Sequence, residues 1–396
     1  MYKIFLIAAA FLALAISAAA AKPATFGILW DFDSSGGEPR NVEIDPDGNV
    51  IGFEGFGGAH GLGSVFSLTP DGHISIIYDF TGGSDGGLPN FIKLAPNGLI
   101  DVTTQGTTAC GKLVEIMPDG TTKTPLDFNG PNGCMPNSVI FCTKSILCGT
   151  TQKGGSTDDG VLYEIKPASP HPREDIVADF SGSQGGCARP GGSVVRLPDG
   201  TIYGTTETGG RFGRGCIYEL TPNGDLKSLY DFNGADGDNP IGKLAYNSAL
   251  NTLEGTTFSG GAYGEGVDYE YNLSTNTFTL LQSFNGNGSD RRQMMMQANQ
   301  PTSGVPGANP NGGVIVDKKG NIFGTTVYGG GGACDQGCGE VFEITAKGKF
   351  KVLHAFNGTD GEYPVAAPAL DKHGNLYGTT LLGGTGGFGV VYRITP

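Results

Sequence analysis

One repeated tripeptide constrains this chain more than anything else in it. Gly-Thr-Thr occurs at 149–151, 204–206, 255–257, 324–326 and 378–380, and worn copies stand at Gly52-Phe53-Glu54 and Val102-Thr103-Thr104. Seven copies of one unit override the rule that 396 residues make two or three ordinary domains. An aromatic closes each unit, at Phe32, Phe80, Phe128, Phe180, Phe232, Phe284 and Phe356, spaced by 48 residues twice, 52 three times and then 72. The 69 glycines recur at fixed places in the unit, without the strict three-residue period of collagen.

Each unit reads as four short β-strands parted by turns. In the sixth these cover 313–317, 321–327, 340–345 and 350–356. The turn before the last strand is written Thr69-Pro70-Asp71-Gly72, Met117-Pro118-Asp119-Gly120 and Thr221-Pro222-Asn223-Gly224. Pro fixes φ there and Gly accepts a positive φ, as a tight antiparallel turn requires. Four antiparallel strands per unit, at a period of roughly 40–50 residues, form the signature of a propeller blade. Runs such as Val314-Ile315-Val316 are apolar on both faces, which suits strands sandwiched between blades. The mid-strand Gly of Gly-Thr-Thr is expected to let an aromatic from the next blade approach the backbone. The threonines read as structural, with β-branched strand preference and hydroxyls for neighbouring backbone groups.

The ends of the chain decide how the ring shuts. Thr25–Phe32 resembles a fourth strand with no blade before it, and Gly389–Thr395 a third strand with none after it. The strand count completes only if the N-terminal strand, about 26–32, finishes the C-terminal blade, which removes the open edges that invite aggregation. The expected fold is all-β, a single seven-bladed β-propeller over 22–396 with four antiparallel strands per blade. An insertion at about 286–309 parts blades 5 and 6.

Residues 1–21 read as a secretory signal peptide: Lys3, an apolar run from Ile4 to Ile16, then Ser17 and four alanines. That run is shorter than the ~20 residues a membrane span needs, so no transmembrane segment is expected after signal removal. Eight cysteines in an exported chain point to disulfides rather than zinc-bound thiolates, since no His lies at ligand spacing from them. Short-loop pairing gives Cys142–Cys148, Cys334–Cys338, Cys110–Cys134 and Cys187–Cys216. A net charge of −14 excludes nucleic acid and anionic membrane as partners, because both need a basic face. A secreted, extracellular or periplasmic monomer is expected.

Asp231-Phe232-Asn233-Gly234, Gly374-Asn375-Leu376-Tyr377-Gly378-Thr379-Thr380 and Val390-Val391-Tyr392-Arg393-Ile394-Thr395-Pro396 together carry a likeness. They resemble the GloVer tandem repeat, named for Gloeobacter and Verrucomicrobia, over essentially the whole mature chain. The resemblance implies an exported bacterial protein and specifies no chemistry.

In a propeller the fourth-to-first and second-to-third connections share one face, and ligands meet that face or the central channel. The residue after the Pro that introduces each first strand is expected at the channel rim: Arg40, Asn90, Asn137 and Asn311, with Gly191, Ile241 and Val365. An Asn ring with one Arg suits a small polar ligand; the alternative is Asn that merely satisfies turn backbone. The insertion carries Arg291, Arg292, Met294, Met295 and Met296, an adaptable apolar patch for a partner. Its alternative is a surface loop tolerated because loops lengthen cheaply.

Acidic turns at Asp236 and Asp238, Asp360 and Glu362, and Asp45 and Asp47 raise calcium as the one cofactor reading, yet none has the EF-hand spacing. Asp31, Asp79, Asp127, Asp179 and Asp231 precede ring aromatics and read as turn-bracing acceptors. No catalytic set or other metal site stands out. His60, His73, His171, His354 and His373 occupy non-equivalent positions, and no nucleophile elbow, zinc-protease helix or phosphate loop is present. Trp30 is the only Trp, which weighs against a quinone-cofactor propeller and a Trp-lined sugar platform.

The function expected is an extracellular, non-enzymatic propeller that binds a protein or glycan through its loop face. The alternatives are a lyase or lactonase with a metal in the central channel, and a structural envelope component. Two carboxylates with a His in the channel favour the enzyme; an apolar, Gly-lined channel favours binding.

Overall fold

The computed structural model describes residues 24–34, 36–106, 110–166, 173–286 and 307–396. Residues 1–23, which include the expected signal peptide, and 287–306 of the insertion lie outside the described residues. Seven antiparallel sheets form the blades, six with their strands in chain order and the seventh completed by the N-terminal strand. Blade 1 comprises Gly36–Ile44, Val50–Gly57, Ser64–Leu68 and Ile74–Asp79. In blade 4 the first strand is broken into Cys187–Pro190 and Val195–Arg196. Blade 7 takes Ala369–Leu370, Leu376–Thr380 and Val390–Thr395 from the end of the chain. Its fourth strand is Thr25–Asp31, running antiparallel to Val390–Thr395 from Thr25 opposite Thr395 to Asp31 opposite Val390. The ring is closed by its own N-terminus.

The unit's conserved-looking pattern has a packing cause at each place. The mid-strand Gly lies directly across the ladder from an aromatic on the third strand of the same blade: Gly52 opposite Phe66, Gly149 opposite Tyr163, Gly204 opposite Tyr218, Gly255 opposite Tyr269, Gly324 opposite Phe342 and Gly378 opposite Tyr392. In every one a Cβ on the Gly would strike the ring. The expectation that the ring comes from the next blade is corrected: residues opposite in an antiparallel pair share a face, so the neighbouring strand fills the glycine's space first. Blade 2 solves the same position with Val102 opposite Val114.

Contact between blades comes from the aromatic that ends each unit. Phe32, Phe128, Phe180, Phe232, Phe284 and Phe356 meet Phe66, Tyr163, Tyr218, Tyr269, Phe342 and Tyr392 of the following blade, ring centroids 5.0–5.5 Å apart and planes inclined by 55–67°. Such inclined pairs add about 0.5–1.5 kcal/mol to the burial of their area. Phe80 has no such partner and packs instead with Ile92, Val102 and Val114.

All seven junctions share a second device. The Gly before each third strand sits at φ of +90° to +97°, and a Cβ there would lie 2.5–2.8 Å from the ring of the Pro that introduces the next blade. The series runs Gly63–Pro89, Gly111–Pro136, Gly160–Pro190, Gly215–Pro240, Gly266–Pro310, Gly339–Pro364 and, across the closure, Gly389–Pro39. The threonines are structural as expected. Thr325 donates to Ala366 O of the next blade at 3.0 Å, and Thr379 of blade 7 donates to Arg40 O of blade 1. The second Thr, as in Thr151, Thr206, Thr257, Thr326 and Thr380, donates to the carbonyl two residues on.

All four disulfides pair as the short loops predict: Cys110–Cys134, Cys142–Cys148, Cys187–Cys216 and Cys334–Cys338. Cys110–Cys134 staples blade 2 to blade 3. Among the described residues no helix is long and apolar enough to cross a membrane.

Candidate functional site

Seven X-Pro dipeptides shape the mouth of the channel. Glu38, Leu88, Met135, Arg189, Asn239, Asn309 and Tyr363 each precede the Pro of a first strand, and each holds φ between 52° and 60°. A left-handed non-Gly residue costs roughly 1–2 kcal/mol. The cost is met by backbone bonds into the preceding blade: Leu88 N–H to Leu62 O at 2.8 Å, Met135 N–H to Cys110 O at 2.8 Å, Asn309 N–H to Glu265 O at 2.8 Å and Tyr363 N–H to Cys338 O at 3.0 Å. Those acceptors belong to the second-to-third loops, which places these loops on the face of the mouth.

Immediately after these prolines, Arg40, Asn90, Asn137, Gly191, Ile241, Asn311 and Val365 all line one cavity of about 300 Å³. The structure therefore brings together every residue that the sequence places at the rim. Their side chains are not equally available. Asn90 donates to Pro136 O at 2.6 Å and accepts from Thr103 at 2.7 Å. Asn137 donates to Pro190 O at 2.6 Å and Gly191 O at 3.0 Å, and accepts from Thr150 at 2.7 Å. Both amides brace adjacent blades. Asn311 makes no side-chain bond among the described residues, and Arg40 reaches Glu38 at 3.1 Å while its buried Nε has no partner.

Below the mouth lies a set of charges that the rim rule does not find. The carboxylate of Glu43 takes both oxygens to the Lys93 ammonium at 2.9 Å. Lys243 stands beside this pair, lining both the mouth and a lower cavity of about 230 Å³. No carboxylate lies within ion-pair distance of it among the described residues. The Lys243 side chain is exposed to the channel, whose blades surround it. That enclosure pushes its ammonium below the ordinary value; Glu43 pulls upward, and Lys93 adds to the lowering. Ser193, third after its Pro in blade 4 as Lys243 is in blade 5, is 3 % exposed, and its hydroxyl has no partner. Glycines at 192, 242 and 312 let the first strands of blades 4 to 7 touch through backbone, since a Cβ on any of them would strike the next blade's main chain.

The mouth cavity and the lower cavity meet neither limb of the sequence test: they hold one carboxylate, Glu43, and no imidazole, and they are cationic rather than purely apolar. A further cavity of about 660 Å³, which shares Glu43, Ile44 and Leu370 with the lower one, adds Asp45, Asp47, Asp371 and His373. Among the described residues no three His, Cys, Asp or Glu side chains gather closely enough to hold a metal ion. The acidic turns use their oxygens locally. Asp45 accepts from Asp47 N–H and Asn49 N–H at 2.9 and 2.8 Å, Asp236 from Asn233 N–H at 2.8 Å, and Asp360 from Asn357 N–H at 2.8 Å. Asp31, Asp79 and Asp179 brace loops through Thr385, Ala59 and Ser156 N–H. Asp127 instead pairs with Lys112, and Asp231 accepts from Ser228.

Two aromatics stand out on the mouth face. Phe212 and Tyr263 occupy the same place in the second-to-third loops of blades 4 and 5, and each is about half exposed. Arg291, Arg292, Met294, Met295 and Met296 fall outside the described residues. The two ends of their insertion meet on this face, where Gly286 N–H donates to Gly307 O at 3.2 Å.

Among solved structures, the extracellular domain assigned to a one component system of B. thetaiotaomicron superposes with a TM-score of 0.59 at 11% identity, over 92% of this chain and 39% of that one. This chain thus spans well under half the length of that protein. A gluconolactonase from Xanthomonas campestris gives a TM-score of 0.46 at 13% identity, over 94% of this chain and 89% of that one. At such identities the likeness concerns the fold alone. No curated protein matches the sequence. The Gloeobacter/Verrucomicrobia repeat model matches residues 38–240, 143–302 and 293–396.

Proposed function

The chain belongs to the Gloeobacter/Verrucomicrobia repeat family, and from that premise we propose that it is an exported propeller that binds a glycan or protein partner at its mouth face. One observation carries this reading. A single cavity draws its lining from all seven blades, and it opens on the face where Phe212 and Tyr263 stand exposed at matching places in adjacent blades. Exposed aromatic rings suit stacking on sugar rings or on a partner's apolar side chains. Because Asn90 and Asn137 are engaged between blades, direct contact at the rim falls to Arg40 and Asn311. Four disulfides fit an oxidising compartment, extracellular or periplasmic. A metal-dependent lyase or lactonase finds little support, since no three His, Cys, Asp or Glu side chains among the described residues gather closely enough to hold a metal ion.

A glycan and secreted-protein array tests this. Wild type is expected to bind a discrete set of probes, and Phe212→Ala with Tyr263→Ala to lose at least tenfold in affinity for them. A second arm deletes 287–306, and intact binding by that variant removes the insertion from the site. Binding that survives both changes contradicts the mouth-face reading.

A further inference from the structure

We propose that the channel beneath the mouth is an anion site, in which Lys243 receives the carboxylate of an acidic sugar or small organic acid. This rests on the mouth-face reading and names the chemistry its ligand presents. The charges in the channel leave a surplus. Glu43 and Lys93 neutralise one another through two bonds of 2.9 Å, and Arg40 is matched by Glu38. Lys243 alone has no counter-charge, inside a protein whose net charge is −14. An acidic chain gains nothing in solubility from an unmatched ammonium in its central channel. Low-dielectric walls around that ammonium strengthen its pull on an entering anion.

A second, independent observation points to the same ligand. The Ser193 hydroxyl is buried and has no hydrogen-bond partner, and an unmade bond of this kind costs about 1–3 kcal/mol. Ser193 holds in blade 4 the place that Lys243 holds in blade 5, and the glycines before them bring the two strands into backbone contact. A hydroxyl and an ammonium lining one cavity offer donors to a carboxylate's oxygens. Arg40 lines the same mouth cavity from blade 1. Cavities of about 300 and 230 Å³, joined along Asn41, Lys243 and Ala367, admit one sugar ring or a small acid but not a folded partner. A macromolecule can therefore enter only by an acidic group at its tip.

Calorimetry on the full mature chain tests the proposal with glucuronate, an oligosaccharide of glucuronates, inorganic phosphate and neutral glucose. Glucuronate is expected to bind at least tenfold more tightly than glucose, with affinity falling as salt rises. Lys243→Met is expected to abolish that preference, Lys243→Arg to keep it, and Ser193→Ala to weaken it several-fold. An oligosaccharide that binds more tightly than free glucuronate assigns the source as a glycan; the reverse assigns a free acid. Should Lys243→Met fail to fold, acetylation footprinting of wild type decides. Glucuronate is expected to protect Lys243 and to leave the exposed Lys227 unchanged. Equal affinity for glucose and glucuronate, or no protection of Lys243, overturns the anion site. Loss of array binding in the Phe212 and Tyr263 variants would still leave the mouth-face reading standing.

Discussion

The wall of the ring and the lining of its channel follow opposite rules. Every junction of the wall repeats one contact, a left-handed Gly against the next blade's Pro, from Gly63–Pro89 round to Gly389–Pro39. The channel varies: at the third place after the Pro, blades 4 to 7 present Ser193, Lys243, Gly313 and Ala367. A wall residue meets the same neighbour seven times, so one solution serves everywhere. A channel residue faces open space, and each blade is free to differ. Uniform positions report packing, and departures report either a substituted packing solution or a site.

The largest effect should come from the closure. Deleting 24–31 strips blade 7 of its fourth strand and bares the edge of Val390–Thr395. Loss of cooperative unfolding, read by circular dichroism, is the expected outcome, and a stable folded product would break the equivalence of the seven junctions. Next, Phe356→Ala opens a cavity against Tyr392 and should cost about 3–5 kcal/mol in denaturant unfolding. A loss below about 1 kcal/mol would take Phe356 out of the core.

Departures inside the wall should show in the pH profile. Asp268 stands where Val65, Ile217, Val341 and Val391 stand in other blades, fully buried, with neither oxygen bonded among the described residues. Burial lifts its carboxyl far above the usual range, and Glu254 adds to this. Burial also pushes Asp101 up to about 8, Glu254 to about 7 and Glu340 to about 8. Each folded value lies above the unfolded one, so the folded state holds the extra protons. These groups' contribution is therefore full below about pH 4 and fades as pH rises towards 8. The melting temperature should climb as pH falls from 8 to 5. Asp268→Val should stabilise by about 1–3 kcal/mol at pH 7 and flatten the climb. An unchanged profile in that variant would remove Asp268 from the account.

The smallest effect sharpens the contrast between blade 2 and the rest. Val102→Gly alone removes a fully buried side chain opposite Val114 and should cost about 2–4 kcal/mol, so the small effect is that of the compensated pair. Adding Val114→Phe restores the arrangement of the other six blades and should recover most of that loss. Failure to recover would mean that the two solutions are not interchangeable.

Much of the fold was legible in the sequence because repetition averages away local ambiguity. Seven copies fixed the blade count, the strand order, the closure through 26–32 and, by short loops, all four disulfides. The rim was legible too, since each Pro marks the same bend. Chemistry was not. Lys243 and Ser193 carry no motif, and only the ring's curvature brings them and the Glu43–Lys93 pair to one axis. Counting three and four residues beyond each rim Pro would have found them. The partner of the mid-strand Gly was misplaced because strand register, which sets it, is invisible in a single copy of the unit.

Placement of the mouth, the channel and every junction depends on residues 25–31 lying along residues 390–395. Gly27 and Arg393 face each other across that pair. Introducing Gly27→Cys with Arg393→Cys and mapping disulfides in the oxidised full chain by mass spectrometry tests it most directly. A 27–393 crosslink alongside the four native bridges is the expected result. Free thiols at both positions, or pairing of either with a native cysteine, would contradict the closed seven-bladed ring.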